Sequence, residues 1–121
     1  DGRGRELGFP TANLEVEESG KLLPPDGVYA GWVRRSEASS TAAVVNLGCR
    51  PTFNGRHRSI EAHLLDFSGE LYGEALVVEL VERIRDERKF ESPAALMDQI
   101  QSDCQTASDV LSDEEKTLFR R

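Results

Sequence analysis

The apolar residues of this chain change their spacing once, at Ser92, and that change divides the fold. Upstream, "VYAGWVRR" (28–35) and "AAVVNLG" (42–48) are rich in β-branched and aromatic residues and read as strands, joined by the polar link "SEASST". In "PTFNGRHRSIEAHLLDF" the Asn54-Gly55 pair supplies the positive φ that a tight hairpin turn needs. Ser68-Gly69 marks another turn, before the long strand candidate "LYGEALVVELVERIR". Residues 1–8 read as a Gly/Arg loop, 9–16 as extended, and 17–27 as a polar connector holding the turn signal "LPPDG". Short strands at this spacing imply an antiparallel barrel or sandwich. From Ser92 onward Leu96, Met97, Ile100, Cys104, Ala107 and Leu111 form a helical stripe, and Ser92-Pro93 is a cap followed by proline at the first helical position. Ser112 with Glu115 has the capping-box spacing, which predicts a second short helix.

With 121 residues the chain has room for one core, and its 38% hydrophobic content is enough for a folded domain because the apolar residues cluster. It has no apolar run of membrane-spanning length and no signal-peptide pattern, so the expected location is the cytoplasm, with no membrane partner. A net charge of −7 argues against nucleic acid as the partner, since phosphate backbones reward a basic face. A single nucleotide needs only a local patch, which Arg3 and Arg5 could supply. Cys49 and Cys104 lie far apart without metal-type spacing, so a reduced pair of small buried residues is expected.

The stretch "GRELGFPTANLE" (4–15) carries the first candidate chemistry. Its glycines let backbone approach a ligand closely, and successive N–H groups in such loops bind anions. In an extended segment Thr11 and Asn13 share one face. Their hydroxyl and amide oxygens suit magnesium, weakly for the bare ion and better for one arriving with polyphosphate. On chemistry alone, the simpler reading is that the two residues finish a turn. There is no P-loop, and "GRGRELG" fails the dinucleotide fingerprint because Leu7 stands where the third glycine should be.

In "RSIEAHLLDF" Ile60, Ala62 and Leu64 alternate with Glu61 and His63, which puts both polar groups on one face. If that face lines a pocket, Glu61 is a candidate general base; otherwise both residues face solvent. "RIRDERKFES" (83–92) is a mixed-charge run of a kind that is usually solvated, although Arg85 or Lys89 could close over a charged ligand. Ser/His/Asp order, HExxH and clustered Cys/His are all lacking, which argues against an activated serine or cysteine and against zinc.

Taken together, "GRGRELGFPTANLE", "LLPPDGVYAGWV", "NLGCRPTF" and "SIEAHLLDFSGELYGEALVVELVERIRDERKFESPAALMDQIQSD" resemble the riboflavin kinase module, either free-standing or as the C-terminal half of a bacterial bifunctional riboflavin kinase/FAD synthetase. The resemblance runs from residue 2 to about residue 111 and reverses the balance for Thr11, Asn13 and Glu61. It implies a six-stranded antiparallel Greek-key barrel with a C-terminal helix packed on it. It further implies transfer of the ATP γ-phosphate to the 5'-hydroxyl of riboflavin, giving FMN and ADP. In that reading Thr11 and Asn13 hold Mg²⁺, and Glu61 takes the proton. Gly4, Arg5, Gly8, Pro10, Thr11, Asn13, Tyr72 and Arg85 contact nucleotide or flavin, with flaps around Gly4–Gly8 and Arg85–Phe90. Family members carry a strand before residue 1, so residues 1–121 are expected to be an N-terminally truncated kinase domain without its FMN adenylyltransferase half. The alternative is a non-catalytic flavin- or nucleotide-binding barrel.

Overall fold

The computed structural model describes residues 11–14, 24–36, 39–53, 55–65 and 76–119. They form strands β1 (Thr11–Leu14), β2 (Gly27–Ser36), β3 (Ser39–Thr52), β4 (Gly55–Leu64) and β5 (Val77–Arg85), then helix α1 (Pro93–Phe119). The strands make one antiparallel sheet in the order β1-β4-β3-β2-β5. The β2-β3-β4 meander is flanked by β5 beside β2 and β1 beside β4, which is Greek-key connectivity. The all-β class with a C-terminal helix is therefore as expected. The expected six-stranded closed barrel is not completed by the described residues: they supply five strands, with β1 and β5 at the edges.

The meander is tighter than its sequence suggests. Ser36 pairs with Ser39, so pairing consumes most of the polar link. At the other end Thr52 pairs with Gly55, one step away from a turn centred on Asn54-Gly55. Gly55 has φ +131°, a conformation that L side chains rarely adopt.

Both faces of the sheet are covered, for different reasons. On one, Tyr29, Val33, Ala43, Val45, Leu47, Ala62 and Leu64 form a core of sheet residues alone. On the other, Val28, Ala30 and Val44 pack against Ile100, Cys104, Ala107 and Leu111 of α1, the stripe read from the sequence. Strand β5 serves both faces because its pairing with β2 slips twice, between Val28 and Tyr29 and between Ala30 and Gly31. The slips let Val81 and Ile84 reach the helix side while Val78 and Leu80 stay on the other. Gly31 is required where β2 meets β5, since a Cβ there would lie 2.5 Å from the Glu79 carbonyl oxygen.

The helix begins as predicted, with the Ser92 hydroxyl accepting the Ala95 N–H at 3.1 Å. The second helix expected from Ser112 is not separate: α1 runs unbroken through that position to Phe119. Neither glycine nor proline interrupts the run, and an interior serine costs less than breaking the hydrogen-bond ladder. Among the described residues no helix is long and apolar enough to cross a membrane.

Neither cysteine forms a disulfide; Cys104 is buried and Cys49 half-buried. Burial, aided by the neighbouring Asp103 charge, pushes the Cys104 thiol from 9.0 to about 11. A raised folded pKa stabilises the fold below the unfolded value, and the contribution is lost as pH rises through the folded one. The urea midpoint should therefore fall more steeply with pH above 9 in the native chain than in Cys104→Ala, followed by circular dichroism.

Candidate active site

One rung of the sheet carries most of the polar chemistry. Asn13 on β1 pairs with Glu61 on β4, Glu61 with Asn46 on β3, Asn46 with Val28 on β2, and Val28 with Arg85 on β5. The next rung on the same face runs Thr11, His63, Val44, Ala30. Because side chains alternate along a strand, both rungs point to the face on which α1 lies. The helix covers part of this face. The remainder is a cleft of about 760 Å³ bounded by both rungs, by Glu87 to Phe90 after β5, and by Leu96, Ile100 and Asp103 of α1.

Thr11, Asn13, Glu61 and Arg85, four positions singled out in the sequence, line this one cleft. Gly4, Arg5, Gly8, Pro10 and Tyr72 lie outside the described residues. The alternation in β4 works as read, with its polar face lining the cleft. Ala62 and Leu64 enter the sheet core, and His63 is itself buried, at 8% exposure.

His63 ties two candidate residues together. Its Nδ1 lies 3.1 Å from Thr11 Oγ1, and its Nε2 lies 3.4 Å from Glu61 Oε1. In the neutral ring, the carboxylate favours the tautomer with the proton on Nε2. Nδ1 then accepts a hydrogen bond donated by the Thr11 hydroxyl. That hydroxyl is oriented by its proton, and its oxygen keeps its lone pairs as the donor function.

Arg85 has a different task from an open guanidinium fork. Its Nε and NH2 groups donate to Asp103 at 2.7–3.1 Å, and NH1 donates to the Asp86 carbonyl at 2.9 Å. Gln99 also donates to Asp103, whose side chain is 3% exposed. The guanidinium thus fastens the end of β5 to α1 at the edge of the cleft. Beyond it, Arg88 and Lys89 bring exposed positive charge to the same opening, and the Phe90 ring lies 4.8 Å from the Arg88 guanidinium carbon. Glu87 lies beside these two cations in the lining, so the segment is mixed in charge and offers an anionic ligand Arg88 and Lys89 rather than a basic surface.

Sequence reasoning missed Asn46, Gly48 and Asp103. Asn46 looked like one more residue in an apolar strand. Gly48 lies under the Glu87 carboxylate, which a Cβ at that position would push aside. Asp103 sits among the apolar stripe positions of α1, and that placement was the one available signal that it is buried.

The fold and the cleft define a small Greek-key domain with a ligand-sized polar site between a sheet face and a helix. Comparison with known proteins narrows that class. A family model described as flavokinase, riboflavin kinase, matches residues 1–111, and the chain belongs to the riboflavin kinase family. Members of this family are enzymes that phosphorylate riboflavin with ATP. The chain is 43% identical over 104 residues to a bifunctional riboflavin kinase/FMN adenylyltransferase of Haemophilus influenzae, covering 86% of this chain and 33% of that protein. It is 43% identical over 112 residues to the Bacillus subtilis protein of the same name, covering 88% and 34%. A bifunctional riboflavin kinase/FMN phosphatase of Arabidopsis thaliana is 38% identical over 114 residues, covering 91% and 30%. The chain thus spans about a third of the length of these curated relatives. Among solved structures, one described as a macrolide-efflux protein from Streptococcus pneumoniae superposes with a TM-score of 0.79 at 36% identity, covering 89% of this chain and 35% of that one.

Loss of the carboxylate in Asp103→Ala would leave Arg85 and Gln99 without their shared acceptor. Breaking such a buried pair costs about 3–5 kcal/mol, whereas replacing both partners with apolar residues is often neutral. Urea denaturation should show a loss of that order for Asp103→Ala and recovery of most of it in Arg85→Met/Asp103→Leu.

Proposed function

We propose that this chain carries out the kinase step itself, transferring the γ-phosphate of ATP to the terminal ribityl hydroxyl of riboflavin to give FMN and ADP. The observation that carries the reading is the juxtaposition of Thr11, Asn13 and Glu61 on neighbouring strands, facing one cleft. Phosphoryl transfer asks a protein mainly for positioning and charge neutralisation, together with a group that takes the hydroxyl proton.

Glu61 is the base in this reading. It sits at the cleft wall with its side chain 29% exposed, open enough to meet a hydroxyl and enclosed enough to be oriented by His63. Thr11 and Asn13 are the residues that would hold a magnesium ion. The donor set fits the ion: a hydroxyl oxygen oriented by His63 and an amide two residues away on the same strand face are hard, uncharged oxygens. When bound with the nucleotide, the ion neutralises charge on the phosphates. Uncharged protein ligands leave that charge to the phosphates rather than quenching it. Arg88 and Lys89 attract the anionic nucleotide to the opening, and Arg85 holds the wall that carries them. The longer relatives pair their kinase with an adenylyltransferase by name, so we further propose that FMN made here passes to such a domain in a longer cytoplasmic protein.

Incubating the chain with riboflavin, ATP and magnesium, followed by chromatography, should yield FMN; binding of both ligands without FMN would identify a non-catalytic module. Glu61→Gln should retain both substrates while turnover falls about 10²–10⁴-fold, and near-normal turnover would remove Glu61 from the mechanism. Titration calorimetry should show Thr11→Val and Asn13→Ala weakening Mg·ADP binding more than riboflavin binding. Equal losses would indicate a folding defect instead.

A further inference from the structure

Asn46 is the polar side chain of the central rung to which no role has yet been given. Its Oδ1 is buried and accepts no hydrogen bond. Leaving a carbonyl oxygen in that state is costly, so a native fold keeps it where something else will supply the donor.

The surroundings explain why the protein cannot satisfy this atom. Across the strands its partners are Glu61 and Val28, and along β3 on the same face they are Val44 and Gly48. Over Gly48, at the place a Cβ would occupy, stands the Glu87 carboxylate. Valine and glycine side chains carry no donor, and ionised carboxylates only accept. The nearest guanidinium on the rung, Arg85, is occupied by Asp103 and Asp86. An acceptor whose paired and same-strand neighbours are acceptors and aliphatic groups is placed for a ligand that brings its own O–H or N–H.

Phosphate oxygens bring none. A polyol brings one on every carbon. Directly paired residues on an antiparallel sheet have Cβ atoms only about 4.5–5.5 Å apart, so a chain whose terminal hydroxyl meets Glu61 passes the Asn46 amide within its next few carbons. We infer that Asn46 is a substrate-binding residue whose Oδ1 accepts a hydrogen bond from an inner hydroxyl of the ribityl chain, so that the enzyme selects a flavin with a polyhydroxylated side chain. This rests on the reading of the cleft as the riboflavin site.

Three measurements test it. Asn46→Leu preserves shape and removes the acceptor. It should be at least as stable as the native chain in urea, because the unsatisfied atom is gone, yet bind riboflavin at least ~10-fold more weakly by fluorescence quenching with Mg·ADP present. Its affinity for Mg·ADP should change less than twofold. On the native chain, a flavin bearing a 5-hydroxypentyl side chain, with the terminal hydroxyl kept and the inner ones replaced by hydrogen, should bind at least ~10-fold more weakly than riboflavin. Native and Asn46→Leu proteins should bind this analogue equally. Unchanged riboflavin affinity in Asn46→Leu, or a loss directed at Mg·ADP, would overturn the assignment. So would failure of the native chain to distinguish the two flavins, a comparison that needs no variant to fold. If the native chain binds riboflavin but makes no FMN, the kinase reading fails while the binding comparisons still decide the role of Asn46.

Discussion

The grip of Arg85 on Asp103 decides where the helix lies, and the cleft exists because of where the helix lies. A helix packed by apolar contacts alone can slide along a flat sheet face at little cost, since burial is non-directional. A guanidinium fork closed on a carboxylate is directional, and desolvation of Asp103 makes the alternative positions expensive. With the end of β5 tied to Asp103, within one turn of Ile100, the stripe Ile100, Cys104, Ala107 and Leu111 covers one part of the face. The rungs carrying Thr11, Asn13, Glu61 and Asn46 remain open to the cleft. Apolar burial supplies the stability and the ion pair supplies the placement.

Chemistry then follows from register. In an antiparallel sheet a one-residue slip turns every side chain to the other face, so the assembly of Asn13, Glu61 and Asn46 on one rung depends on the pairing of β1, β4 and β3 being correct throughout. Both faces of β4 enforce it. Ala62 and Leu64 fit a closely packed sheet core that would not accept Glu61 or His63 without large desolvation costs. His63 adds a cross-strand hydrogen bond that only this register permits. The same residues that specify the fold of β4 therefore present the acid and its imidazole neighbour to the cleft.

How far the site was legible in the residues can be judged from particular elements. β2 and the start of α1 announced themselves, the first by a run of β-branched and aromatic side chains and the second by Ser92-Pro93. Thr11, Asn13 and Glu61 stood out through their spacing and the motif around them. β5 lies within the long strand candidate read from the sequence, but the two slips in its pairing, which break the alternation that marks a strand, gave no sign. Ser112 misled for the opposite reason: a cap signal has meaning only where a helix must begin, and here the preceding turn was already formed. Asn46 gave no local sign, since a buried amide in an apolar strand has the same periodicity whether it is satisfied or not.

Local composition by itself determined the strand-rich body, the terminal helix and the chemical types available, because alternation, turn residues and caps act over a few neighbouring positions. Only the tertiary structure decided that Asn13, Glu61 and Asn46 share a rung, that His63 joins Thr11 to Glu61, and that Asp103 holds Arg85. Those relations join residues from strands and a helix far apart in the chain. Their energies come from desolvation and directional hydrogen bonds, which exist only once the strands have paired in register and the helix has packed on them.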